Sequence, residues 1–366
     1  MRVTLEKAAP SGCMKQPRGM GSIGSSTTRY CSLLKKSWER KGLANCYILS
    51  VVSGMSKFLL IGDLHLRSTA PEMRTDPDFQ QLCLGKLEWI LNTAEKLDCD
   101  AILQPGDFFD SPNPTSSLLI QTISLLKSYD IPIITTVGNH DVVGKNTDLY
   151  KEQSPLGILE AADAITVLVG GDNCKIGDTI VSGYGYGEKI THDFLHGKAK
   201  RHNKDISEIA LVHASVGASR KEAEYDVHEL TITPDTADYV LFGDIHFGWD
   251  LCVDTPKGVA CFNPGAAVRL RSTEKDIVPR CYCLDTTEEA LDAYEIPHQP
   301  AKYAFNIKQM DKRTSDRVEA WNAAQAKSQE IQSERAEDIV RRVAEAVGYS
   351  KDVVEIVLDR LAEVKK

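Results

Sequence analysis

The segment FLLIGDLH at residues 58–65 decides the predicted fold, because a short apolar run gives way at a glycine to an aspartate and a histidine. The same pattern returns in AILQPGD at 101–107 and in IPIITTVGNHD at 131–141. Helical periodicity fills the intervals, over residues 79–97 and 118–129. This order of strand, helix, strand, helix and strand predicts parallel βαβ units with the helices on the outside.

The second half of the chain is richer in short apolar runs bounded by polar residues or glycine. These runs predict further strands at 165–169, 179–182, 209–212, 239–242, 259–262 and 280–284. From about residue 313 the pattern becomes helical, with helices predicted at 334–347 and 351–364. The predicted fold class is α/β, a two-layer β-sandwich flanked by helices, with a small α-rich C-terminal module.

Composition divides the chain into three predicted regions. Residues 1–54 are rich in Gly, Ser and Thr and carry nine Lys or Arg against two Glu. Three interpretations of this extension compete: a disordered segment, a targeting segment, or sequence upstream of a true start at Met55. Residues 55–296 form the predicted main domain, and residues 297–366 a small cap or C-terminal helical module.

The overall composition, with 42% apolar and 26% charged residues, is that of an ordinary globular protein. No run approaches the roughly 18 consecutive apolar residues of a membrane span. The ten cysteines are scattered without a C-x-x-C pair, which favours reduced thiols. We therefore expect a cytoplasmic protein that has no membrane partner.

The distribution of charge along the chain indicates which classes of partner are compatible with it. The whole chain has a net charge of −9 and its first 54 residues one of +7, so residues 55–366 carry −16. Such an acidic body argues against broad, non-specific coating of DNA. It does not exclude a nuclease, because bound divalent cations reverse the sign of the local charge at a site.

Polar residues cluster where the predicted strands end. In open α/β sheets, ligands bind beyond the carboxyl ends of the strands, where loops bring distant residues together. Residues i and i+2 of an extended segment also point the same way, so a D-x-H motif can offer two ligands. The residues placed at these ends are Asp63, His65, Asp107, Asn139, His140, Asp141, His213, Asp244 and His246.

Carboxylates, imidazoles and an amide oxygen are ligands for Mn, Fe, Zn or Mg, and no thiolate belongs to the set. Their number predicts two ions that share a bridging carboxylate, at a separation of roughly 3.5–4 Å. Other interpretations remain at single positions. Asp63 alone would be an ordinary turn or capping residue, and His213 alone would be a core histidine. Asp244 would be a turn residue, or a residue that supports the metal ligands without binding metal itself.

The ordered series of motifs resembles the calcineurin-like metallophosphoesterase superfamily. Within it, the chain is similar to the SbcD-like nuclease subunit of double-strand-break repair complexes. Three softer features carry that second resemblance: GDFFDSP at 106–112, FNPGA at 262–266 and YEIP at 294–297. In the second of these, Ala266 stands where the SbcD-like turn has serine.

The resemblance implies a role for each residue. His140 would stabilise or protonate the leaving oxygen, with Asp141 orienting it, and the nucleophile would be water or hydroxide bridging two metal ions. Manganese is the expected metal, with Mg, Fe or Zn as alternatives. The implied ligands are Asp63, His65 and His246 for metal one, Asn139, His213 and Asp244 for metal two, and Asp107 as the bridge.

One position departs from the family pattern, since the last motif commonly reads Gly-His-x-His and here reads Gly-Asp-x-His at 243–246. The extra charge of Asp244 should tighten metal binding but weaken the attraction for an anionic phosphate. Arg269 and Arg271 follow the Pro-Gly turn. They are expected to contact substrate phosphates, with simple surface solvation as an equal alternative.

The favoured function is a metal-dependent DNA exonuclease or endonuclease subunit of a recombination and repair complex. Its implied partners are DNA and an SbcC-like, SMC-type ATPase bound through the C-terminal helices, and a homodimer is a further expectation. The alternative is a phosphodiesterase or phosphatase for a small nucleotide, which the core motifs do not separate from the first. A non-catalytic scaffold is the third hypothesis, and the nearly complete ligand set argues against it.

Overall fold

The computed structural model describes residues 2–4, 48–49, 56–188, 206–217, 223–226, 237–252, 259–333 and 336–364. Most of the predicted 1–54 extension lies outside these residues. The chain divides into two compact units, Met1–Phe305 and Asn306–Lys366. The predicted domain boundaries near residues 54 and 296 stay predictions.

The strands of the first unit, in chain order, are short and mostly buried. They are β1 (Arg2–Thr4), β2 (Ile48–Leu49), β3 (Lys57–Leu60), β4 (Ala101–Gln104), β5 (Ile133–Thr135), β6 (Thr166–Val167), β7 (Asp172–Ile176), β8 (Thr179–Tyr184), β9 (Ser207–His213), β10 (Val216–Gly217), β11 (Tyr225–Asp226), β12 (Tyr239–Gly243), β13 (Trp249–Cys252), β14 (Ala260–Asn263), β15 (Arg280–Asp285) and β16 (Ala290–Glu295).

Within the described residues, two seven-stranded sheets contain fourteen of these strands, and β10 and β11 pair as a small third sheet. The first has the order β1-β16-β15-β3-β4-β5-β6, and the second β13-β14-β12-β9-β8-β7-β2. Strands β3 to β6 are parallel, with Leu59 opposite Ile102 and Leu103 opposite Ile134. In the second sheet β9 is parallel to both β8 and β12. Parallel strands covered on both faces explain why these segments are continuous apolar runs.

Helices cover the outer face of the first sheet. They are α1 (Phe79–Lys96), α2 (Ser116–Leu126), α3 (Tyr150–Gln153) and α4 (Pro155–Ala161), and the short α5 (Ala301–Ala304) ends the unit. Helix α1 begins at Asp78, whose carboxylate accepts a hydrogen bond from the Gln81 amide. Its apolar stripe at Leu87, Ile90 and Ala94 is buried in the core beneath it.

A separate core fills the space between the two sheets. Phe58 and Leu103 of the first sheet belong to the same buried cluster as Leu241 and Phe262 of the second. Side chains from two inner faces therefore form one sandwich core. The predicted fold class, a two-layer β-sandwich flanked by helices, is confirmed.

The second unit is helical. It consists of α6 (Ile307–Ser333), α7 (Ala336–Val347) and α8 (Lys351–Val364), and α7 packs on α8. Both last helices follow the predicted bounds within two residues. Across the described parts of the chain, no helix combines the length and the apolar character needed to cross a bilayer.

Candidate metal centre

Five loops carry the predicted site residues, and each begins where a strand ends. The loops after β3, β4 and β5 come from the first sheet, and those at the ends of β9 and β12 from the second. The two sheets therefore deliver their strand ends to one place. We call the predicted ligand set the cage: Asp63, His65, Asp107, Asn139, His213, Asp244 and His246.

On one side of the cage, three side chains converge. The Nε2 atoms of His65 and His246 lie 2.9 Å apart. Each also lies close to Asp63 Oδ2, at 3.9 Å from His65 and 3.8 Å from His246. Asp63 and His65 are buried. One carboxylate and two imidazoles thus present their lone pairs to one small volume, as a divalent cation requires.

Asp107 connects this group to the other side. Its Oδ2 lies 3.5 Å from His65 Nε2 and 3.6 Å from His213 Nε2. His213 Nε2 in turn lies 3.9 Å from Asp244 Oδ1. A single carboxylate oxygen therefore stands between the histidines of both sides.

Three buried atoms of the cage make no hydrogen bond with any of the residues that the structure describes. They are the ring nitrogen Nδ1 of His65, which faces the Asp110 carboxylate at 3.4 Å, the amide oxygen Oδ1 of Asn139 and the ring nitrogen Nε2 of His213. A buried polar atom left without a partner costs about 1–3 kcal/mol, so such atoms are rare without a ligand. An oxygen and an imidazole nitrogen are both ligands for divalent metals, so the residues present fit a metal ion.

Glycines allow the loops to approach this closely. A Cβ on Gly138 would lie 2.1 Å from Asp107 Oδ1, and one on Gly106 would lie 2.5 Å from His213 Nδ1. Gly106 also has a φ of 100°, in the region that favours glycine. The glycines that end the apolar runs of β4 and β5 are therefore required by the packing of the cage itself.

Three cage residues have a left-handed backbone: His65 with φ 45°, Asp107 with φ 55° and Asp244 with φ 79°. Non-glycine residues adopt this conformation seldom, at a cost on the order of 1–3 kcal/mol each. The surrounding packing holds them there, which aims their side chains inward. Such strain gathered at one place is typical of a functional site.

Groups behind the cage fix the orientation of its histidines. His213 Nδ1 donates to the carbonyl oxygen of Pro105 at 2.7 Å, and His246 Nδ1 donates to Glu274 Oε1 at 2.7 Å. Glu274 is buried, and its Oε2 accepts from the amides of Leu270 and Arg271. With Nδ1 used in this way, each ring presents Nε2 as its lone pair to the cage.

Burial and charge act together on the titrating groups of the cage. Burial raises the pKa of Asp63, against the charge of His213. Burial would also raise the pKa of Asp107, but the charges of His213 and His65 outweigh it and lower that pKa. For His65, burial would lower the pKa, yet the carboxylates of Asp110 and Asp107 raise it to about 9. Carboxylate charge dominates the cage, which therefore attracts cations.

His140 lies at the edge of the cage and is partly exposed. Its amide donates to Asp107 Oδ1 at 2.8 Å, and its ring meets the ring of His65 edge-on at 4.9 Å. Its Nδ1 donates to the carbonyl oxygen of Asp110 at 3.0 Å. This bond leaves Nε2 as the ring atom that can meet a substrate.

Asp141 is expected from the sequence to orient His140, but the hydrogen bonds of its carboxylate go to backbone amides instead. The fully buried Asp141 carboxylate accepts from the amides of Gly138, Phe108 and Phe109, at 2.9, 3.3 and 3.0 Å. Burial, with the charge of Asp107, raises its pKa to about 6. Asp141 therefore ties the second strand-end loop to the third, because their amides need an acceptor away from water.

Asp110 takes the orienting position that the sequence analysis missed. Besides the carbonyl bond to His140, its carboxylate lies 3.4 Å from His65 Nδ1 and forms a 2.7 Å ion pair with Arg67. Its position three residues after Asp107, in the same loop, was the signal available in the sequence. Glu274 gave no comparable signal, because it reaches His246 from a separate 3₁₀ turn.

The two expected substrate arginines have different surroundings. Arg269 is buried, and its guanidinium donates to the carbonyl oxygens of Lys275 and Gln299. The alternative of simple surface solvation therefore does not hold for Arg269, and its predicted contact with substrate phosphates stays a prediction. Arg271 is exposed, and its role stays a prediction.

The sequence analysis missed Tyr186, which lies beside His213, and Lys145, which lies beside Tyr186. The ring of Tyr186 lies 6.3 Å from the ring of His213, between centroids. The exposed Lys145 places its Nζ 5.2 Å from the centre of the Tyr186 ring and 3.5 Å from its hydroxyl. An aromatic face with a cation beside it can hold a substrate base or phosphate.

A cage of carboxylates and imidazoles at the strand ends of a two-layer sandwich is the arrangement of a metal-dependent phosphoesterase. The sequence model of the calcineurin-like phosphoesterases matches residues 56–248, more than half of the chain. The chain belongs to the calcineurin-like phosphoesterase family.

Curated relatives are similar in sequence to part of this chain. The DNA double-strand break repair protein Mre11 of Methanosarcina acetivorans is 28% identical over 243 residues, covering 63% of this chain and 36% of the relative. Mre11 of Sulfurisphaera tokodaii is 29% identical over 145 residues, covering 38% of this chain and 35% of the relative. The chain thus spans about a third of the length of these relatives.

Solved structures resemble the chain more distantly. The protein TT1561 of Thermus thermophilus has a TM-score of 0.43 and 15% identity, over 67% of this chain and 100% of that one. The NAD nucleotidase NadN of Haemophilus influenzae has a TM-score of 0.39 and 14% identity, over 67% of this chain and 50% of that one.

Proposed function

We propose that the chain hydrolyses phosphodiester bonds in DNA, with two divalent metal ions held by the cage. The observation that carries the proposal is the position of Asp107 Oδ2, 3.5 Å from His65 Nε2 and 3.6 Å from His213 Nε2. An oxygen between two sets of ligands is what a pair of ions sharing one carboxylate needs. DNA as the substrate is supported by the similarity to the Mre11 proteins, which are named for the repair of DNA double-strand breaks.

We assign the cage residues to two ions. Mixed oxygen and nitrogen ligands without thiolate suit manganese, which we propose as the metal. When bound, the two ions supply a nucleophile near neutral pH and stabilise the oxygens of the transferring phosphoryl group. The assignment is Asp63, His65 and His246 for the first ion, Asn139, His213 and Asp244 for the second, and Asp107 for both.

His140 is the proposed general acid. Because its Nδ1 donates to the Asp110 carbonyl, a second proton can reside on Nε2, which remains available to substrate. That atom would deliver the proton to the leaving oxygen. General acid catalysis of this kind contributes typically 10²–10⁴-fold to the rate.

The first test compares substrates on one enzyme preparation. The full chain is depleted of metal with a chelator, desalted, and assayed with and without Mn²⁺ on linear duplex DNA, single-stranded DNA and bis-p-nitrophenyl phosphate. We expect Mn²⁺-dependent cleavage of DNA as well as of the small ester. Cleavage of the ester alone would overturn the assignment of DNA as the substrate. The absence of all three activities would overturn the proposal that the chain is a hydrolase.

The second test separates His140 from the metal ligands. His140→Gln is expected to retain wild-type manganese content, measured by elemental analysis, while turnover falls about 10²–10⁴-fold. A parallel loss of bound manganese would instead make His140 a ligand and contradict its role as the acid.

A phosphodiesterase acting on a small nucleotide is the second candidate. The core motifs are common to both candidates and do not separate them. The charge of Asp244, where the family commonly has histidine, weakens the attraction for a polyanion. The three-substrate assay separates the two candidates directly.

The C-terminal unit supports a proposal about the partner. Large apolar side chains remain exposed on its last two helices, including Val343, Val347 and Ile356. We assign this surface to an SbcC-like, SMC-type ATPase, with a second copy of the chain as the competing occupant. Ile356→Lys should abolish co-purification with the ATPase without changing the monomer–dimer ratio in sedimentation. A change in that ratio alone would favour the homodimer.

A further inference from the structure

A second charged site lies in the first unit, among residues that are not cage ligands. A cavity of about 360 Å³ opens beside α1, and three cationic side chains line it: Arg74, Lys86 and Arg269. None of the described residues that line this cavity is an aspartate or a glutamate. Its volume falls within the range of roughly 300–1,000 Å³ that is usual for small-molecule sites.

Lys86 lines the cavity and is only 7% exposed. Its Nζ donates to the carbonyl oxygen of Ala267 at 2.6 Å. Burial, with the charges of Arg269 and Arg74, lowers the pKa of Lys86 to about 7. Buried lysines are rare unless an anion accompanies them. The surrounding protein supplies a carbonyl here, so the amine in its charged form, which a bound anion favours, retains two donors for another acceptor.

The two arginines hold fixed positions around the amine. Arg74 packs between the rings of Phe79 and Phe305, with its guanidinium carbon 5.1 Å and 4.9 Å from their centres. It donates to Asp76 at 2.7 Å and to the carbonyl oxygen of Arg269 at 3.0 Å. Within the described residues, Asp76 is the one carboxylate that forms an ion pair with any of these three cations.

Arg269 completes the cationic wall. Its Nη atoms donate to the carbonyl oxygens of Lys275 and Gln299, and its guanidinium lies 5.6 Å from the centre of the Phe305 ring. A guanidinium has five N–H groups, so each arginine keeps donors beyond these bonds. The charges of Asp276 and Glu274 also act on Arg269, but neither residue is among the described residues that line the cavity, so cationic side chains exceed carboxylates along its walls. A bound anion relieves the repulsion among the three cations.

We propose that this cavity, which we call the cation cavity, binds the phosphate group of a small ligand at a site distinct from the metal centre. Arginine and lysine side chains together are the usual partners of phosphate oxygens. Leu82 and Pro297 add apolar wall, which suits a ligand with a planar or apolar body next to the phosphate. Such a phosphate belongs either to a free mononucleotide or to the end of a nucleic-acid strand.

Gly85 allows a test that leaves the cations in place. It lines the cavity, and a Cβ added to it would meet nothing within 4 Å. Gly85→Leu should therefore fold and fill the cavity, whereas Gly85→Ala leaves most of the volume open. Lys86→Met keeps the apolar stem and removes the charge, and Lys96→Met, at an exposed position of the same helix, is its control.

The experiment measures binding to the metal-depleted, desalted full chain by calorimetry at constant ionic strength. The probes are inorganic phosphate, adenosine monophosphate and a 5′-phosphorylated tetranucleotide. We expect saturable binding that Gly85→Ala and Lys96→Met retain and that Lys86→Met and Gly85→Leu weaken at least about tenfold. The tightest probe identifies the source of the phosphate.

Two results would overturn the proposal. One is the absence of saturable binding by any of the three probes. The other is undiminished binding in both Gly85→Leu and Lys86→Met, provided circular dichroism shows that both have folded. Because the protein carries no added metal in this experiment, failure of the proposed hydrolase leaves the result unaffected, and the reverse also holds.

Discussion

The cage and the cation cavity both bury charge in the first unit, and the effect on a nearby base is opposite. In the cage, carboxylates raise the pKa of His65 to about 9 although burial alone would lower it. In the cation cavity, burial lowers the pKa of Lys86 to about 7, and two arginines reinforce the effect. Burial acts in the same direction on both groups, so the neighbouring charges account for the difference.

This contrast explains which ligand each region can accept. Surplus carboxylate charge in the cage favours metal cations, with Asn139 Oδ1 and His213 Nε2 as unpaired atoms aimed at them. Surplus guanidinium and ammonium charge in the cation cavity favours an anion. Changes that remove one charge from each region should therefore have different consequences, which the following experiments measure.

Asp107→Asn should have the largest effect. The amide keeps the shape and an oxygen that can accept from the His140 amide, but it loses the charge that faces both His65 and His213. We expect turnover to fall on the order of 10³-fold or more, equivalent to about 4 kcal/mol. Manganese content, measured by elemental analysis, should fall with it.

The matched control for this change is Asp148→Asn, which removes the same charge from an exposed turn outside the cage. It should leave turnover and manganese content unchanged. If Asp107→Asn retains both ions and full activity, the shared-carboxylate arrangement is wrong.

Glu274→Gln should have a smaller effect, because Glu274 acts through His246. The substitution removes the charge that accepts from His246 Nδ1 and places an amide donor near the amides of Leu270 and Arg271. Loss of such a group behind a metal ligand typically weakens metal affinity 10–100-fold. Manganese titration measures the change, and Glu95→Gln on the exposed face of α1 is the control.

If Glu274→Gln binds manganese with wild-type affinity, Glu274 holds only the backbone of its turn. A lower melting temperature with unchanged metal affinity would lead to the same conclusion.

The strand-end residues of the cage could be predicted because their pattern is local. Asp63, Asp107 and His213 each follow a continuous apolar run, and a buried parallel strand requires such a run. The sequence analysis did not predict strands β7 and β16, because their sequences lack such a run. Both expose alternate residues to solvent, so neither contains a continuous apolar run.

The groups behind the cage and the cation cavity could not be predicted in this way. Glu274 reaches His246 across 28 positions of the chain, and Lys86 reaches the Ala267 carbonyl across 181. Arg269 resembled a surface residue, but its guanidinium is buried against carbonyl oxygens supplied by Lys275 and Gln299. These contacts depend on tertiary packing, which leaves no periodic signal in the sequence.

Metal binding to the cage should release protons. Below about pH 9, His65 of the metal-free protein holds a proton that a metal ion must displace. Metal affinity should therefore rise with pH up to that value, by up to about tenfold per pH unit for each proton displaced. Calorimetry at pH 7 in two buffers of different ionisation enthalpy should give about one proton or more per loaded chain, and a value of zero would contradict the charge balance described for the cage.

Lys86 should affect the free energy of unfolding rather than turnover, with a distinct dependence on pH. Its folded-state pKa of about 7 lies below its ordinary value of 10.5, so between these values the unfolded chain binds the extra proton. Stability must then rise with pH across this window, by less than about 1.4 kcal/mol per pH unit. Urea unfolding from pH 7 to 10 should show wild type gaining stability relative to Lys86→Met, with Lys96→Met as the comparison for simple loss of charge. A difference that does not vary with pH would mean that Lys86 remains charged in the folded protein, with an anion or water already compensating it.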